Sequence, residues 1–327
     1  MTHDDPCRVA LDLLGNLARA DEPLAQYTTY RVGGAAAVFV VPRSRADLVL
    51  IAEVLRRTGL PVLVVGRGSN LLVADAGFRG IAISLAEFAD VLTIDTTTDP
   101  ADQSAVVTAE AACALPVVAR RTVAAGLTGF EWAVGVPGSI GGAVRMNAGG
   151  HGADIADCLI DAELFDLRNG AHDWVRADRL GLRFRGSDIA DDQIVLAARL
   201  RLQQGHQRES EAVLTEIVKW RREHQPGGQN AGSVFVNPIP GELAAARLID
   251  QLGLRGFAVG GAHVSEKHAN FVQAAAGATA ADVLQVMRHV RARVAAESGF
   301  LLRSEVRLAG FDDLAPHELH ESVGVTW

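Results

Sequence analysis

The sequence predicts an α+β protein that folds as more than one compact unit, and three observations support this. The chain has 327 residues, of which 49% are hydrophobic, so it can bury more than one core. Near the N-terminus, apolar runs follow one another with strand, helix and strand periodicity. From about Gln204 the pattern changes to longer helices with short strands between them, which predicts a separate α+β domain.

The first predicted unit begins with a strand at Val38–Val41, followed by a helix that Ser44 can cap and Gly59 can end. Val62–Val65 is the next predicted strand. Strand, helix and strand in this order predict a parallel βαβ unit. The second strand runs directly into a glycine-rich loop, at the strand end where ligands usually bind.

A second lobe is predicted to start near Leu85. Its one predicted helix is Leu115–Ala125. Its predicted strands are Ala105–Glu110, Leu159–Phe165 and Ile194–Leu202. The separate domain is predicted to contain four elements, namely a helix ending near Trp220, a helix at Leu243–Leu252, a strand at Ala269–Ala274 and a long helix capped by Thr279.

Charge and composition argue against several classes of partner. The formal net charge is -8, which opposes non-specific binding to nucleic acid or to an anionic membrane. Charged residues interrupt the first ten positions, and no apolar run is long enough for a membrane span. The three cysteines, Cys7, Cys113 and Cys158, lack metal-ligand or CxxC spacing. We therefore expect a cytoplasmic protein with no nucleic-acid partner, no membrane insertion and no metal.

Two glycine-rich segments, Gly66–Asn70 and Gly135–Gly142, carry the strongest chemical signal. Glycines let backbone N–H groups approach the oxygens of a diphosphate closely. Neither segment is a Rossmann motif, since Gly66–Asn70 lacks the third glycine of GxGxxG, and no GxxxxGK(S/T) phosphate loop is present. Either segment alone is equally compatible with a tight turn. Together, with Asn147 and Gly149 just beyond the second, they favour a dinucleotide cofactor.

The motifs resemble those of the UDP-N-acetylenolpyruvoylglucosamine reductases. The resemblance extends from about Tyr27 to Gly310 and follows the order of that family. Its motifs are Tyr30–Gly34, Gly66–Val73, Gly135–Ala143, Phe184–Ser187, Ala231–Pro238, Gly261–Ala269 and Ser304–Val306.

The resemblance implies a two-lobed FAD-binding domain of the vanillyl-alcohol-oxidase/p-cresol-methylhydroxylase type, followed by a smaller α+β substrate-binding domain. The implied boundaries are an N-terminal helical segment at 1–23, the FAD-binding domain at 24–205 with lobes of about 24–84 and 85–205, the substrate-binding domain at 206–310 and an acidic tail at 311–327. The short stretch between Arg185 and Ser233 favours the shorter subclass, which lacks a substrate-capping insertion.

By the same resemblance, FAD is bound non-covalently, NADPH is the co-substrate and UDP-N-acetylglucosamine-enolpyruvate is reduced to UDP-N-acetylmuramate for peptidoglycan synthesis. The residues implied to bind FAD are Tyr30, Arg31, Gly66, Gly68, Ser69, Asn70, Leu71, Gly135, Pro137, Ser139, Gly141, Gly142, Asn147 and Gly149. Asn237 and Lys267 are implied to contact the sugar nucleotide. The protein is expected to be a monomer or a weak oligomer.

The catalytic residues implied by the resemblance are Arg185, Ser233 and Glu305. Arg185 and Glu305 match the residues that stabilise the enolate, and Ser233 matches the proton donor. Without the motifs, Arg185 would be interpreted as a surface salt-bridge residue, Glu305 as a solvated strand residue and Ser233 as a turn or cap hydroxyl.

Two positions depart from the family pattern. Phe184 stands where the family usually has tyrosine, and Val236 stands where it has lysine, so each loses a polar group near the site. These losses leave two alternatives open, a different FAD-dependent oxidase or dehydrogenase and a non-catalytic flavin-binding paralogue. The tail sequence His317–Glu321 resembles a metal motif but lacks a third ligand, which favours a solvated terminus.

Overall fold

The structure is a computed structural model that describes residues 5–95 and 103–311. The predicted tail motif His317–Glu321 therefore lies outside the described residues. The α-helices of the described residues are α1 Pro6–Leu14, α2 Arg45–Thr58, α3 Leu115–Ala124, α4 Ile140–Met146, α5 Gln207–His224, α6 Ala245–Gln251 and α7 Ala280–Ser298. α1 lies within the predicted N-terminal helical segment, and its N-terminus is capped by Asp5.

The strands divide into several sheets. In chain order they are β1 Ala18–Pro23, β2 Ala35–Val40, β3 Val62–Val65, β4 Leu71–Val73, β5 Phe78–Ser84, β6 Leu92–Asp95, β7 Ser104–Glu110, β8 Leu127–Thr128, β9 Gly149–Gly150, β10 Ala153–Asp154, β11 Leu159–Asp166, β12 His172–Arg176, β13 Gln193–Gln204, β14 Ala258–Val259, β15 Ala262–Val264, β16 Val272–Ala274 and β17 Arg307–Ala309.

The first lobe contains a four-stranded sheet of order β1-β2-β5-β3. Strand β3 and the capped helix α2 are confirmed, with Ser44 in a capping box and Gly59 left-handed at the C-cap. The two strands of the predicted βαβ unit lie in this one sheet, where β5 lies between β2 and β3 and pairs in parallel with β3. Five consecutive residues of β5, Gly80 to Ser84, are buried, and a strand buried on both faces needs a central position.

The second lobe contains a six-stranded sheet of order β12-β11-β13-β7-β6, with β8 also paired to β13. The predicted strands correspond to β7, β11 and β13, and the predicted helix corresponds to α3. The pairs β11–β13 and β13–β7 are antiparallel. On the polar face of β13, Arg199 Nε donates to Asp161 Oδ1 at 2.7 Å.

The predicted helices of the C-terminal part are confirmed as α5, α6 and α7, although α5 ends at His224 instead of near Trp220. The predicted strand Ala269–Ala274 is shorter, since only β16 is extended. Thr279 caps α7 in a capping box with Asp282. Asp75 adds a second cap, because its two carboxylate oxygens accept the N–H groups of Ala280 and Ala281.

The chain divides into two compact units, each assembled from separate stretches of sequence. The first comprises Met1–Asp21, Ala37–Arg67 and Arg79–Arg221, and the second comprises Glu22–Ala36, Gly68–Phe78 and Arg222–Trp327. The second unit therefore includes two early segments that the predicted boundary between 205 and 206 did not assign to it. Two hydrophobic cores lie in the described part of the first unit, and one lies in that of the second.

Candidate active site

The two glycine-rich segments meet in the first unit. Gly66 follows β3 directly, as predicted, and Ser139 belongs to the second segment. A Cβ atom placed on Gly66 would lie 2.7 Å from Ser139 Oγ, closer than real Cβ atoms approach a neighbour. Any residue other than glycine would require the Ser139 hydroxyl group to move. Segments 69 positions apart in the sequence are thus brought together at the end of a parallel strand.

We expect a Gly66→Ala substitution to lower both thermal stability and flavin retention, because the new methyl group meets Ser139 Oγ. Removing that oxygen as well, in a Gly66→Ala/Ser139→Ala double variant, should restore part of the Tm, since Ser139 Cβ is 3.9 Å away. A double-mutant cycle on the Tm of the apoprotein measures this coupling. Strictly additive effects would show that the two segments do not touch.

The second segment supplies a hydroxyl group beside glycine backbone. Ser139 is buried and precedes α4, but its side chain does not cap the backbone of that helix. Gly141 is packed on Ala111, with its N–H donating to Ala111 O at 2.9 Å. The Gly141 amide is thus bonded within the protein, whereas the Ser139 hydroxyl group is a neutral donor that suits a phosphate oxygen. The residues present at this meeting point therefore fit the diphosphate of a dinucleotide.

The first segment continues into the second unit at Gly68. Gly68 has φ +59°, and a Cβ atom there would lie 2.0 Å from Tyr27 O. Thr29 donates its N–H and its hydroxyl to Gly68 O at 3.1 and 3.3 Å. Asn70 Nδ2 donates to Glu305 O at 2.9 Å, so a predicted cofactor residue binds the backbone of a predicted catalytic residue.

Ser233 and Glu305 lie on two paired segments of the second unit. Glu305 N–H donates to Val234 O at 2.8 Å, and Phe235 faces Ser304 in an antiparallel bridge. Both Ser233 and Glu305 are half-buried. Two of the three predicted catalytic residues, 72 positions apart, are thus brought to neighbouring backbone positions.

Arg185, the third predicted catalytic residue, lies in the first unit. It has φ +56° within a tight turn in which Arg183 and Gly186 exchange backbone hydrogen bonds. Its Nη2 donates to Gly149 O at 2.8 Å, and its Cζ lies 4.8 Å from the centre of the Phe184 ring. The ring of Phe184, which replaces the family tyrosine, thus packs against the guanidinium by a cation–π contact.

Three residues predicted to bind FAD have well-defined contacts within the protein. Tyr30 is fully buried in the core of the second unit, where burial raises the pKa of its hydroxyl group. Arg31 has φ +58° and donates from Nη1 to Gln26 O at 2.6 Å. Asn147 is buried and joins α4 to Asp154, Ala156 and Arg183 by hydrogen bonds of 3.0 to 3.3 Å. Their role in binding FAD stays a prediction.

The remaining predicted binding residues have varied surroundings. Leu71 is buried at the start of β4, Ser69 is half-buried, and Pro137 and Gly142 are exposed. Asn237 Oδ1 accepts the Ala245 N–H at 3.1 Å and so caps α6. Lys267 is exposed, and its Nζ donates to Arg222 O at 2.5 Å. The contacts of Asn237 and Lys267 with a sugar nucleotide stay predictions.

One cluster was not assigned a role by the sequence. His151, with φ +54°, packs edge-on against Trp220 with ring centres 5.1 Å apart, beside Gly135. Burial and the nearby Arg221 charge keep the pKa of His151 below its usual value, which favours the neutral ring. The position of His151 just after the second segment was a signal, but contact with Trp220 depends on tertiary structure.

Among residues 5–95 and 103–311, no three His, Cys, Asp or Glu side chains are grouped to hold a metal ion. In the same part of the chain, no helix has the length and apolar character of a membrane span.

Comparison with known proteins agrees with this arrangement. Residues 36–175 match the family model described as FAD binding domain, which contains both the strand end at Gly66 and the second glycine segment. Residues 224–309 match the model described as the C-terminal domain of UDP-N-acetylenolpyruvoylglucosamine reductase. Together with the convergent glycine segments, these matches define an FAD-dependent oxidoreductase, and they confirm the predicted fold class.

The chain belongs to the UDP-N-acetylenolpyruvoylglucosamine reductase family. It is 42% identical over 291 residues to the family member from Heliobacterium modesticaldum, covering 88% of this chain and 90% of that protein. It is 39% identical over 313 residues to the member from Geotalea uraniireducens, covering 95% and 100%. The crystal structure of the Thermus caldophilus reductase matches with a TM-score of 0.75 and 33% identity, covering 89% and 99%.

Proposed function

We propose that this enzyme uses FAD and NADPH to reduce UDP-N-acetylglucosamine-enolpyruvate to UDP-N-acetylmuramate. The observation that carries the proposal is the pairing of the Ser233 and Glu305 segments through the Glu305 N–H···O Val234 hydrogen bond. This pairing joins the backbone of Glu305 to that of Val234, the residue directly after Ser233, in a chain whose family is established. FAD, when bound, supplies the hydride that it has accepted from NADPH.

The protein stabilises the negative charge that develops on the substrate. Hydride addition to the terminal carbon of the enolpyruvyl group moves an electron pair to the neighbouring carbon and its carboxylate. A fixed guanidinium lowers the free energy of that charge, and Arg185 is held by Gly149 O and the Phe184 ring. Glu305 serves as a hydrogen-bonding partner of the developing enolate.

Ser233 completes the reaction by donating a proton. The Oγ–H bond breaks, and its proton forms the new C–H bond at the carbon beside the carboxylate. A serine hydroxyl group is a weak acid, but it is matched here to a strongly basic enol-like carbon. Asn237 and Lys267 contact the sugar nucleotide, and Lys267 adds a positive charge for its diphosphate.

The reaction belongs to peptidoglycan precursor synthesis, and we place the enzyme in the cytoplasm, where both co-substrates are formed. It acts as a monomer or a weak oligomer. The loss of polar groups at Phe184 and Val236 alters the orientation of the substrate without removing any of the three catalytic residues.

The half-reactions test this function. Without oxygen, NADPH should bleach the yellow flavoprotein, and UDP-N-acetylglucosamine-enolpyruvate should then restore the colour with one equivalent of UDP-N-acetylmuramate. UDP-N-acetylglucosamine, which lacks the enolpyruvyl group, is the matched control and should leave the flavin reduced. Recovery only with oxygen and release of peroxide would instead identify an oxidase. A protein that binds flavin but is not reduced would be a non-catalytic paralogue.

A further inference from the structure

Asn270 has no part in the steps above, yet it binds the backbone directly after Ser233. Its side chain is buried, with 3% of its surface exposed. Nδ2 donates to Phe235 O at 2.8 Å, and Phe235 N–H donates to Oδ1 at 3.0 Å. Val234 N–H donates to the carbonyl oxygen of Asn270 at 2.8 Å. Three hydrogen bonds thus join Asn270 to the two residues that follow Ser233.

The same stretch is also bonded to the segment of Glu305. Val234 O accepts the Glu305 N–H at 2.8 Å, and Val236 N–H donates to Arg303 O at 2.9 Å. Phe235 lies between these two bonds and offers both of its backbone groups to the carboxamide of Asn270. The side chain of Asn270 therefore makes the two backbone hydrogen bonds with Phe235 that a neighbouring strand would otherwise make.

We propose that Asn270 is a positioning residue that fixes the backbone of Ser233 against that of Glu305. The inference rests on the proposed function, in which Ser233 is the proton donor. Val234 and Phe235 are buried to 0% and 1% exposure, so their backbone groups would lack partners if the stretch moved away from Asn270. A displaced Ser233 hydroxyl group would lie outside hydrogen-bonding range of the carbon to be protonated.

Two variants test the role. Asn270→Ala removes both side-chain bonds, and Asn270→Asp keeps the shape but, when ionised, cannot donate to Phe235 O. We expect reduction of the flavin by NADPH to stay within about twofold of the parent protein. Reoxidation by UDP-N-acetylglucosamine-enolpyruvate should slow by about 10²-fold in both variants at neutral pH, as small misplacements of a reacting group do.

The pH profile of Asn270→Asp separates positioning from loss of packing. Burial and the facing Phe235 carbonyl raise the pKa of a carboxyl group at this position. Once protonated, the carboxyl group can donate to Phe235 O and accept from Phe235 N–H, as the amide does. We therefore expect its reoxidation rate, relative to the parent, to rise as the pH falls, whereas Asn270→Ala should show no such recovery.

Thr279→Ala is the matched control, because it removes the cap of α7 in the same unit without touching the Ser233 segment. It should lower the Tm and leave both half-reactions unchanged. Hydrogen exchange of the Glu305 and Phe235 amides in the flavin-free protein should accelerate in Asn270→Ala and not in Thr279→Ala.

Reoxidation of Asn270→Ala at the parental rate would overturn the positioning role, as would equal slowing in Thr279→Ala. If the parent itself is not reoxidised by the enolpyruvyl substrate, the proposed function fails. In that case unchanged exchange at Glu305 would overturn the backbone role of Asn270, and faster exchange would support it.

Discussion

A Ser233→Ala variant should bind flavin and be reduced by NADPH as the parent is, but should be reoxidised by UDP-N-acetylglucosamine-enolpyruvate about 10²- to 10⁴-fold more slowly. This is the contribution expected of a general acid, equivalent to about 3–5 kcal/mol in the activation free energy. The reason is local: the substitution removes one oxygen from a half-buried side chain and leaves the Glu305 N–H···O Val234 bond in place. Anaerobic stopped-flow absorbance of the flavin measures each half-reaction separately.

Ser233→Cys is the comparison variant for this experiment. A thiol group is a stronger acid than an alcohol and occupies nearly the same place, so it should recover part of the reoxidation rate that Ser233→Ala loses. The Tm of both variants should stay close to that of the parent. A Ser233→Ala enzyme that is reoxidised at the parental rate would remove Ser233 from the mechanism and would direct attention to another donor.

The parts of the fold that the sequence predicted well depend on local chemistry. Strand β3 ends where an apolar run meets Gly66, and α7 begins where Thr279 and Asp282 form a capping box. Both signals lie within a few residues of the element that they define. Helix α2 is also defined by local signals, because Ser44 caps its N-terminus and Gly59 ends it.

The parts that the sequence did not predict depend on which distant segments pair. Strand β5 lies between β2 and β3 in the sheet. Hydrophobic periodicity predicts that a strand forms but does not predict which strands become its neighbours. The bond from Asn70 to Glu305 O spans 235 positions, and that from Asn270 to Phe235 spans 35. Motif order identified Asn70 and Glu305 as candidates, but their contact is visible only in the folded chain.

Gly68→Ala should be the most damaging single-methyl substitution in the glycine segments. The residue has φ +59°, and its Cβ would lie 2.0 Å from Tyr27 O and 2.6 Å from Thr28 Cα. These are backbone atoms, held in turn because Thr29 donates two hydrogen bonds to Gly68 O. Relief requires moving either the Gly66–Asn70 segment or the 27–29 segment, so we expect a loss of more than about 3 kcal/mol in the free energy of unfolding, together with loss of bound flavin.

Gly59→Ala separates the cost of a left-handed backbone from the cost of the contact with Tyr27. Gly59 has nearly the same φ, +65°, but nothing lies within 4 Å of the position that an added methyl group would take. It should therefore show only the conformational cost, about 1 kcal/mol, and should retain flavin. Denaturant unfolding of the two apoproteins measures the loss in the free energy of unfolding. The flavin content of the two purified proteins measures flavin retention. Equal destabilisation at the two sites would mean that the contact with Tyr27 is absent and that left-handed strain alone makes Gly68 necessary.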